Sequence, residues 1–307
     1  MLGGRRAPGA VDGAQCAGGA VSLTWSVSPL LFGGGWLTLR WFTVFWLFEL
    51  VFGFWLLSRQ VRRGGGEESD AADLAVHLYL GLLLGARLGE ALFYNLDLTM
   101  TDPAWVLRLS TGGISSHGAV VGAATAAWLY ARRRSLSSLD VTDRSTLSFA
   151  AAAITHRIAN LFNSEIVGKP THAAWGMRFP SYDALGDAPL RHPSQLYEAA
   201  MGVALVALIF AADRHWQRER RPRGALTGLA LCSYFLGRFA VEFWKAPQPG
   251  EAVGALLNVG QWLSIPFVAT GAVVLWVSLS RKQAAGFRLH ERTERGAPSV
   301  DDAPASA

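Results

Sequence analysis

Residues 37–57 read LTLRWFTVFWLFELVFGFWLL, and this stretch decides the fold class. Its only charged residues are Arg40 and Glu49, and the remainder is rich in tryptophan and phenylalanine. A helix needs about 20 mostly apolar residues to cross the hydrocarbon core of a bilayer. The stretch therefore predicts a membrane-spanning helix.

Six further segments of the same kind follow along the chain. Hydrophobic residues make up 51% of the 307 residues and charged residues only 17%, against about 25% charged residues in ordinary soluble proteins. We therefore predict an all-α, polytopic membrane protein with about seven transmembrane helices. The six further spans are residues 74–95, 114–130, 147–162, 194–212, 226–244 and 259–279.

Basic residues in the loops predict the orientation of the spans, because cytoplasmic loops carry an excess of lysine and arginine. The loops after the first, third, fifth and seventh spans are rich in arginine, and the intervening loops are poorer. This alternation predicts an outside N-terminus and a cytoplasmic C-terminus. Topology then accounts for the net charge of +5, and we expect no nucleic-acid partner.

The two terminal segments differ in composition from the spans. Residues 1–22 are rich in glycine and alanine, and residues 281–307 are polar and charged, so we expect a disordered N-terminal segment and a disordered cytoplasmic tail. Residues 23–280 then form one transmembrane domain. Cys16 and Cys232 show no spacing typical of metal ligands, and a pair of cysteines excludes a disulfide scaffold.

Charged side chains inside the spans are candidates for function, because a charge in the bilayer core is costly. The second span carries Arg87 and Glu90, which share a helix face and form either a structural ion pair or part of a substrate site. Gly81, Gly85 and Gly89 recur every four residues in the same span, a spacing typical of close helix packing.

His117 opens the third span after a stretch of glycine and serine. Gly112 and Gly113 suit an unusual backbone path, and Ser115 or Ser116 can cap the helix. We expect His117 near the outer membrane surface. There it is either a hydrogen-bonded interior residue or a proton-transfer group.

The end of the fourth span is polar on one face. The spacing of His156, Asn160 and Asn163 places them on one side of a helix, and Arg157 borders that side. The face is either an exposed helix terminus or an anion site. A guanidinium beside two carboxamides suits a phosphate, because it presents a rigid fork of donors.

The sixth span carries a second arginine within a polar stripe. Tyr234, Arg238 and Glu242 recur every four residues, so Glu242 can orient Arg238. A purely structural ion pair is the alternative. If Arg157 and Arg238 meet, the two can hold one anionic group together, but the sequence alone leaves their distance open.

The fifth span opens with His192-Pro193-Ser194-Gln195-Leu196-Tyr197-Glu198. A helix start explains the proline and the serine. It leaves His192 and Gln195 unexplained, so both are further candidates for a binding site.

Six polar motifs occur in one order between Gly85 and Pro266, within a transmembrane region that runs from about Arg40 to Leu279. They are GARLGEALFYN (85–95), GGISSHG (112–118), RIANLFNSEIVG (157–168), HPSQLYE (192–198), RFAVEF (238–243) and GQWLSIP (260–266). Each motif alone is a weak signal, but together and in this order they resemble the bacterial prolipoprotein diacylglyceryl transferase family.

This resemblance implies a seven-helix enzyme in the plasma (inner) membrane of a bacterium, with the N-terminus outside. Such enzymes move the diacylglyceryl group of phosphatidylglycerol, within the lipid bilayer, to the lipobox cysteine of a prolipoprotein signal peptide. The products are a thioether-linked lipid and glycerol phosphate. The resemblance implies neither a metal nor a soluble cofactor.

The resemblance also implies roles for individual residues. Arg157 and Arg238 act on the phosphate, Glu242 orients Arg238, and His117 is the candidate base. The implied substrate-binding residues are Arg157, Arg87, Asn160, Asn163, Glu165, Gly168, His192, Gln195, Tyr234 and Glu242.

Several positions depart from the family's usual pattern. Phe42 stands where a tyrosine is usual, His156 where a glycine precedes the key arginine, and Lys245 where an arginine is usual. These changes leave a second hypothesis open, namely a non-catalytic or divergent lipid-binding membrane protein of the same fold.

Overall fold

The computed structural model describes residues 23–34, 37–108, 115–183, 188–247 and 256–281. The terminal segments that we expect to be disordered, and the glycine pair before His117, lie outside these ranges. The helices are α1 (Trp41–Arg63), α2 (Glu68–Phe93), α3 (Leu96–Thr101), α4 (Ser116–Arg133), α5 (Ser138–Phe162), α6 (Pro180–Asp183), α7 (Ser194–His215), α8 (Ala225–Val241) and α9 (Val259–Arg281), with 3-10 turns at Pro103–Leu107, Arg218–Arg220 and Glu242–Trp244.

Each predicted span coincides with one long helix. Five of them are long and apolar enough to cross a membrane: α1, α2, α7, α8 with its following turn, and α9. The other two, α4 and α5, are long but more polar, so the count of seven spans stays a prediction. Helix α5 begins well before residue 147, because its polar first turns are held by an ion pair between Asp140 and Arg144.

Short strands flank the helices, so the all-α prediction needs a correction to a mostly helical fold. Strand β1 (Leu23–Thr24) pairs in parallel with β4 (Met177–Arg178), which pairs antiparallel with β5 (Leu190–Arg191). Strands β2 (Leu30–Gly34) and β3 (Leu37–Arg40) form an antiparallel pair, so the first helix starts at Trp41 and not at residue 37. These segments were too short for a recognisable alternating pattern.

Glycines allow α2 and α4 to pack backbone against backbone. A Cβ atom added to Gly85 would overlap the carbonyl oxygen of Gly118, and one added to Gly122 would overlap the carbonyl oxygen of Gly81. The predicted close packing of the second span is therefore confirmed, and its partner is the helix that carries His117.

We expect Gly122→Ala to destabilise the protein by about 1–3 kcal/mol, because the added methyl group must push two helix backbones apart. The thermal unfolding midpoint of the detergent-purified protein measures this effect. Gly237→Ala is the matched control, since its Cβ would meet only the flexible side chain of Met201. Equal midpoints for the two variants would contradict the packing argument.

Ion pairs join the arginine-rich loops at one end of the bundle. The Arg63 Nη1 atom lies 2.6 Å from Asp213, Arg144 Nη2 lies 2.7 Å from Glu219, and Arg221 Nη1 lies 3.2 Å from Asp213. Burial raises the pKa of Glu219, but the nearby arginines outweigh burial and hold that pKa below its ordinary value. The end of α1, the start of α5 and the α7–α8 connection therefore share one end.

Candidate active site

Five charged side chains meet at the opposite end of the bundle, where α5 and α8 end and α7 begins. Each is at most 7% exposed. A charge in such an environment is stable only when it is paired and hydrogen-bonded. This charged cluster consists of Arg157, Glu198, Arg238, Glu242 and Lys245.

Glu198 lies at the centre of the charged cluster. Its Oε2 atom is 2.9 Å from Nε of Arg157, and its Oε1 atom is 3.2 Å from Nη1 of Arg238. Nζ of Lys245 lies 3.5 Å from the same Oε1 atom. One carboxylate from α7 thus brings the arginines of α5 and α8 together, which the sequence had left open.

Glu242 is the second carboxylate of the cluster. Its Oε1 atom lies 3.1 Å from Nη2 of Arg238 and accepts a hydrogen bond of 3.0 Å from Nζ of Lys245. Asn258 donates a hydrogen bond of 3.0 Å to Oε2. A Cβ atom at Gly260 would lie only 2.9 Å from Oε1, so a glycine leaves room for this carboxylate. Glu242 therefore contacts Arg238, and its role in orienting that arginine for a substrate stays a prediction.

The charges of the cluster do not cancel. Three cationic side chains face two carboxylates, so the formal charge is one positive. Burial lowers the pKa of Lys245, which follows the sixth span, and the carboxylates of Glu198 and Glu242 oppose that shift. A site of this charge in a low-dielectric setting favours one monoanionic group, such as a phosphodiester.

A hydrogen-bonded chain behind Arg157 fixes its orientation. Arg157 Nη1 donates to Oδ1 of Asn160 at 2.9 Å, and Nδ2 of Asn160 donates to Oε1 of Glu165 at 2.7 Å. Gln195, which is fully buried, donates to the backbone oxygen of Glu165 at 2.7 Å. Three of the predicted binding residues, Asn160, Glu165 and Gln195, therefore form the hydrogen-bonded chain that holds Arg157.

The segment after Glu165 passes between the start of α7 and the end of α8. The Gly168 amide donates to the His192 carbonyl at 2.9 Å, and the Lys169 amide donates to the Trp244 carbonyl at 2.8 Å. A Cβ atom at Gly168 would overlap the His192 carbonyl. The His192 ring lies 3.0 Å, by its Nδ1 atom, from the Tyr197 hydroxyl. Gly168 thus joins this segment to His192 and lies beside Lys245 of the charged cluster, and a substrate-binding role for Gly168 and His192 stays a prediction.

His117 is buried near the same end and packs against two aromatic rings that stack on each other. Its ring lies 5.4 Å from Phe235 and 5.7 Å from Phe267, measured between centroids. Its Nε2 atom is 3.4 Å from Oγ of Ser264, and that hydroxyl donates to the Gly260 carbonyl at 2.6 Å. Because the only hydroxyl proton is used there, Nε2 is the donor of the pair. Nδ1, buried and without a partner among the described residues, then holds the free lone pair.

Three other predicted site residues have their described contacts outside the charged cluster. Arg87 donates to the Trp105 and Val106 carbonyls, each at 2.8 Å, and stacks on the Trp105 ring, so it holds the 3-10 turn after α3. Tyr234 packs against an apolar cluster of α5, α7 and α8, one turn before Arg238. Asn163 is half-buried and caps the end of α5.

Two residues of the cluster were not among the predicted site residues. Glu198 was quoted as the last residue of the HPSQLYE motif but was given no role, and Lys245 was noted only as a departure from the family pattern. A carboxylate close to the start of a predicted span, in a chain with two arginines inside other predicted spans, was the available signal for Glu198. Lys245 had no comparable signal.

Fold and site together define a polytopic membrane protein with a buried, net cationic site at one end of its helix bundle. The family model described as prolipoprotein diacylglyceryl transferase matches residues 29–277. The chain belongs to this family.

Curated relatives are similar in sequence to this chain over most of their length. The chain is 37% identical over 260 residues to a protein of Chloroherpeton thalassium, covering 84% of this chain and 95% of the relative. It is 33% identical over 261 residues to a protein of Tolumonas auensis, covering 85% and 99%. It is 35% identical over 271 residues to a protein of Aeromonas hydrophila, covering 86% and 95%. Each relative is named phosphatidylglycerol–prolipoprotein diacylglyceryl transferase.

Proposed function

We propose that this protein transfers the diacylglyceryl group of phosphatidylglycerol to the cysteine thiol of a prolipoprotein. The observation that carries the proposal is the pairing of Arg157 and Arg238 on Glu198 in a buried site, in a chain matched to the transferase family over residues 29–277. A non-catalytic lipid-binding protein is not favoured, because the two arginines and His117 are all present.

The charged cluster suits the phosphate of the lipid donor. The phosphodiester carries one negative charge, and the guanidinium groups of Arg157 and Arg238 present planar forks of donors to it. When the bond between the glycerol carbon and the phosphate oxygen breaks, negative charge grows on that oxygen. Donors already held in place by Glu198 and Glu242 stabilise this charge without reorganising.

His117 suits the role of general base. Its Nδ1 atom takes the proton of the cysteine thiol, and the thiolate attacks the carbon of the diacylglyceryl group that bears the phosphate. The carbon–sulfur bond forms as the carbon–oxygen bond breaks. The imidazolium then returns the proton to the departing glycerol phosphate, so the histidine is regenerated and the reaction is balanced.

The number of spans and their orientation in the membrane are also proposed. Residues 23–280 form a single transferase domain with seven spans in the plasma membrane of a bacterium, with the charged cluster at the outer end and the arginine-rich loops in the cytoplasm. The alternation of basic residues between the loops supports this orientation. An outer site suits a lipobox cysteine at the end of a membrane-inserted signal peptide.

The direct test uses the purified full chain with phosphatidylglycerol and a peptide that contains a lipobox cysteine. We expect the peptide mass to increase by one diacylglyceryl group and glycerol phosphate to appear in equal amount. A peptide with serine in place of the cysteine is the control. An unchanged peptide mass, with a curated relative active under the same conditions, would refute the proposal.

We expect His117→Gln to lower kcat by a factor on the order of 10²–10⁴, the usual contribution of a general base. Ser264→Ala is the graded control, because it removes the group that fixes the histidine tautomer while leaving the base in place, and a smaller loss is expected. Transfer rates of folded, purified variants at saturating lipid measure both. A loss for Ser264→Ala as large as that for His117→Gln would contradict the assignment of Nδ1 as the base.

A further inference from the structure

His156 is a half-buried polar residue that the proposed mechanism does not use. It precedes Arg157 on α5, and the charges of Arg157, Glu198 and Arg238 act on its ring. The Phe42 ring packs against it edge-on, with centroids 5.8 Å apart.

Neither ring nitrogen of His156 has a hydrogen-bond partner among the described residues. The other buried or half-buried histidines there each have one: His77 with the Asp73 carbonyl, His117 with Ser264, and His192 with Tyr197. Neither nitrogen is fully buried, so both remain accessible to a ligand beside the charged cluster.

The charged cluster leaves one requirement of a glycerol head group unmet. Arginine and lysine side chains donate hydrogen bonds but cannot accept them. The carboxylates of Glu198 and Glu242 are already bound to these cations. A glycerol hydroxyl both donates and accepts, whereas a phosphate oxygen only accepts. A neutral imidazole, with one donor and one acceptor nitrogen, complements the hydroxyl.

We propose that His156 binds a hydroxyl of the lipid head group and so selects glycerol-bearing anionic phospholipids over anionic phospholipids without head-group hydroxyls. This inference rests on the proposed function for the position of the lipid, and it adds a determinant of donor specificity. The Phe42 ring packs edge-on against the imidazole, and no described residue engages its ring nitrogens.

The test compares two lipids that carry the same single negative charge. Phosphatidylglycerol has two head-group hydroxyls, and phosphatidylmethanol with the same acyl chains has none. Binding of each lipid to the purified full chain in detergent is followed by tryptophan fluorescence. We expect the protein to bind phosphatidylglycerol about tenfold more tightly, which is the effect of one well-formed hydrogen bond. His156→Phe should reduce this ratio to about one.

Two further variants make the outcome decisive. His156→Gln keeps a donor and an acceptor and should retain part of the preference, and it also serves if the phenylalanine variant fails to fold. His215→Phe makes the same substitution at the exposed last residue of α7, at the end of the bundle away from the charged cluster. It should leave the ratio of the two lipid affinities unchanged. An unaltered ratio in both His156 variants, or no preference in the unmodified protein, would overturn the inference. Because binding is measured without turnover, absent transferase activity would refute the proposed function and leave this result standing.

Discussion

Replacing Arg157 with methionine is expected to lower kcat/KM for diacylglyceryl transfer by a factor on the order of 10³, the range found when a charge-stabilising donor is removed from a transition state. Methionine preserves much of the buried volume but donates no hydrogen bond. Glu198 would keep its contacts with Arg238 and Lys245, so part of the site persists. Initial rates of peptide lipidation at varied phosphatidylglycerol concentrations measure the effect.

Two controls separate catalysis from folding. Arg157→Lys keeps the positive charge but loses the planar fork, so we expect it to recover only part of the activity. Arg144→Met removes another buried arginine at the other end of the bundle, where it pairs with Asp140 and Glu219. This variant should lose stability while the folded fraction keeps its kcat. If both methionine variants lost activity in proportion to lost folded protein, Arg157 would have no specific role in transfer.

The helical framework could be predicted from the sequence because it depends on local properties. An apolar run long enough to cross a bilayer has few alternatives to a helix, since the backbone must satisfy its own hydrogen bonds there. The glycine repeat of α2 likewise indicated a closely packed neighbour. The fourth span was predicted to start too late for helix α5. The polar first turns of α5 are stabilised by Arg144, which pairs with Asp140 nearby and with Glu219 far away in the chain.

The site could be predicted only in part, because its geometry depends on contacts between distant segments. The sequence identified Arg157 and Arg238 as costly charges in the membrane, but their shared partner Glu198 lies on a third helix. The roles of polar residues within motifs were also ambiguous. Arg87 had been expected at the substrate, and in the structure it donates hydrogen bonds to the Trp105 and Val106 carbonyls and stacks on the Trp105 ring. Whether it also reaches the substrate stays a prediction.

Replacing Glu198 with glutamine is expected to destabilise the fold by about 3–5 kcal/mol, the usual cost of removing one partner of a buried ion pair. The substitution preserves shape, but it leaves Arg157, Arg238 and Lys245 facing only Glu242. The free energy of unfolding in detergent measures this cost. Glu219→Gln is the matched control in the ion-pair network at the other end. Because the Glu219 side chain is 35% exposed, its loss should cost far less.

A double-mutant cycle distinguishes charge balance from simple loss of packing. Lys245→Met combined with Glu198→Gln removes one charge of each sign, which restores the formal charge of one positive to the cluster. If repulsion among the cations causes the instability of Glu198→Gln, the double variant should be more stable than the sum of the single effects by about 0.5–3 kcal/mol. Strictly additive effects would contradict this explanation. They would mean that Glu198 stabilises the bundle through Arg157 and Arg238 alone, with Lys245 independent of it.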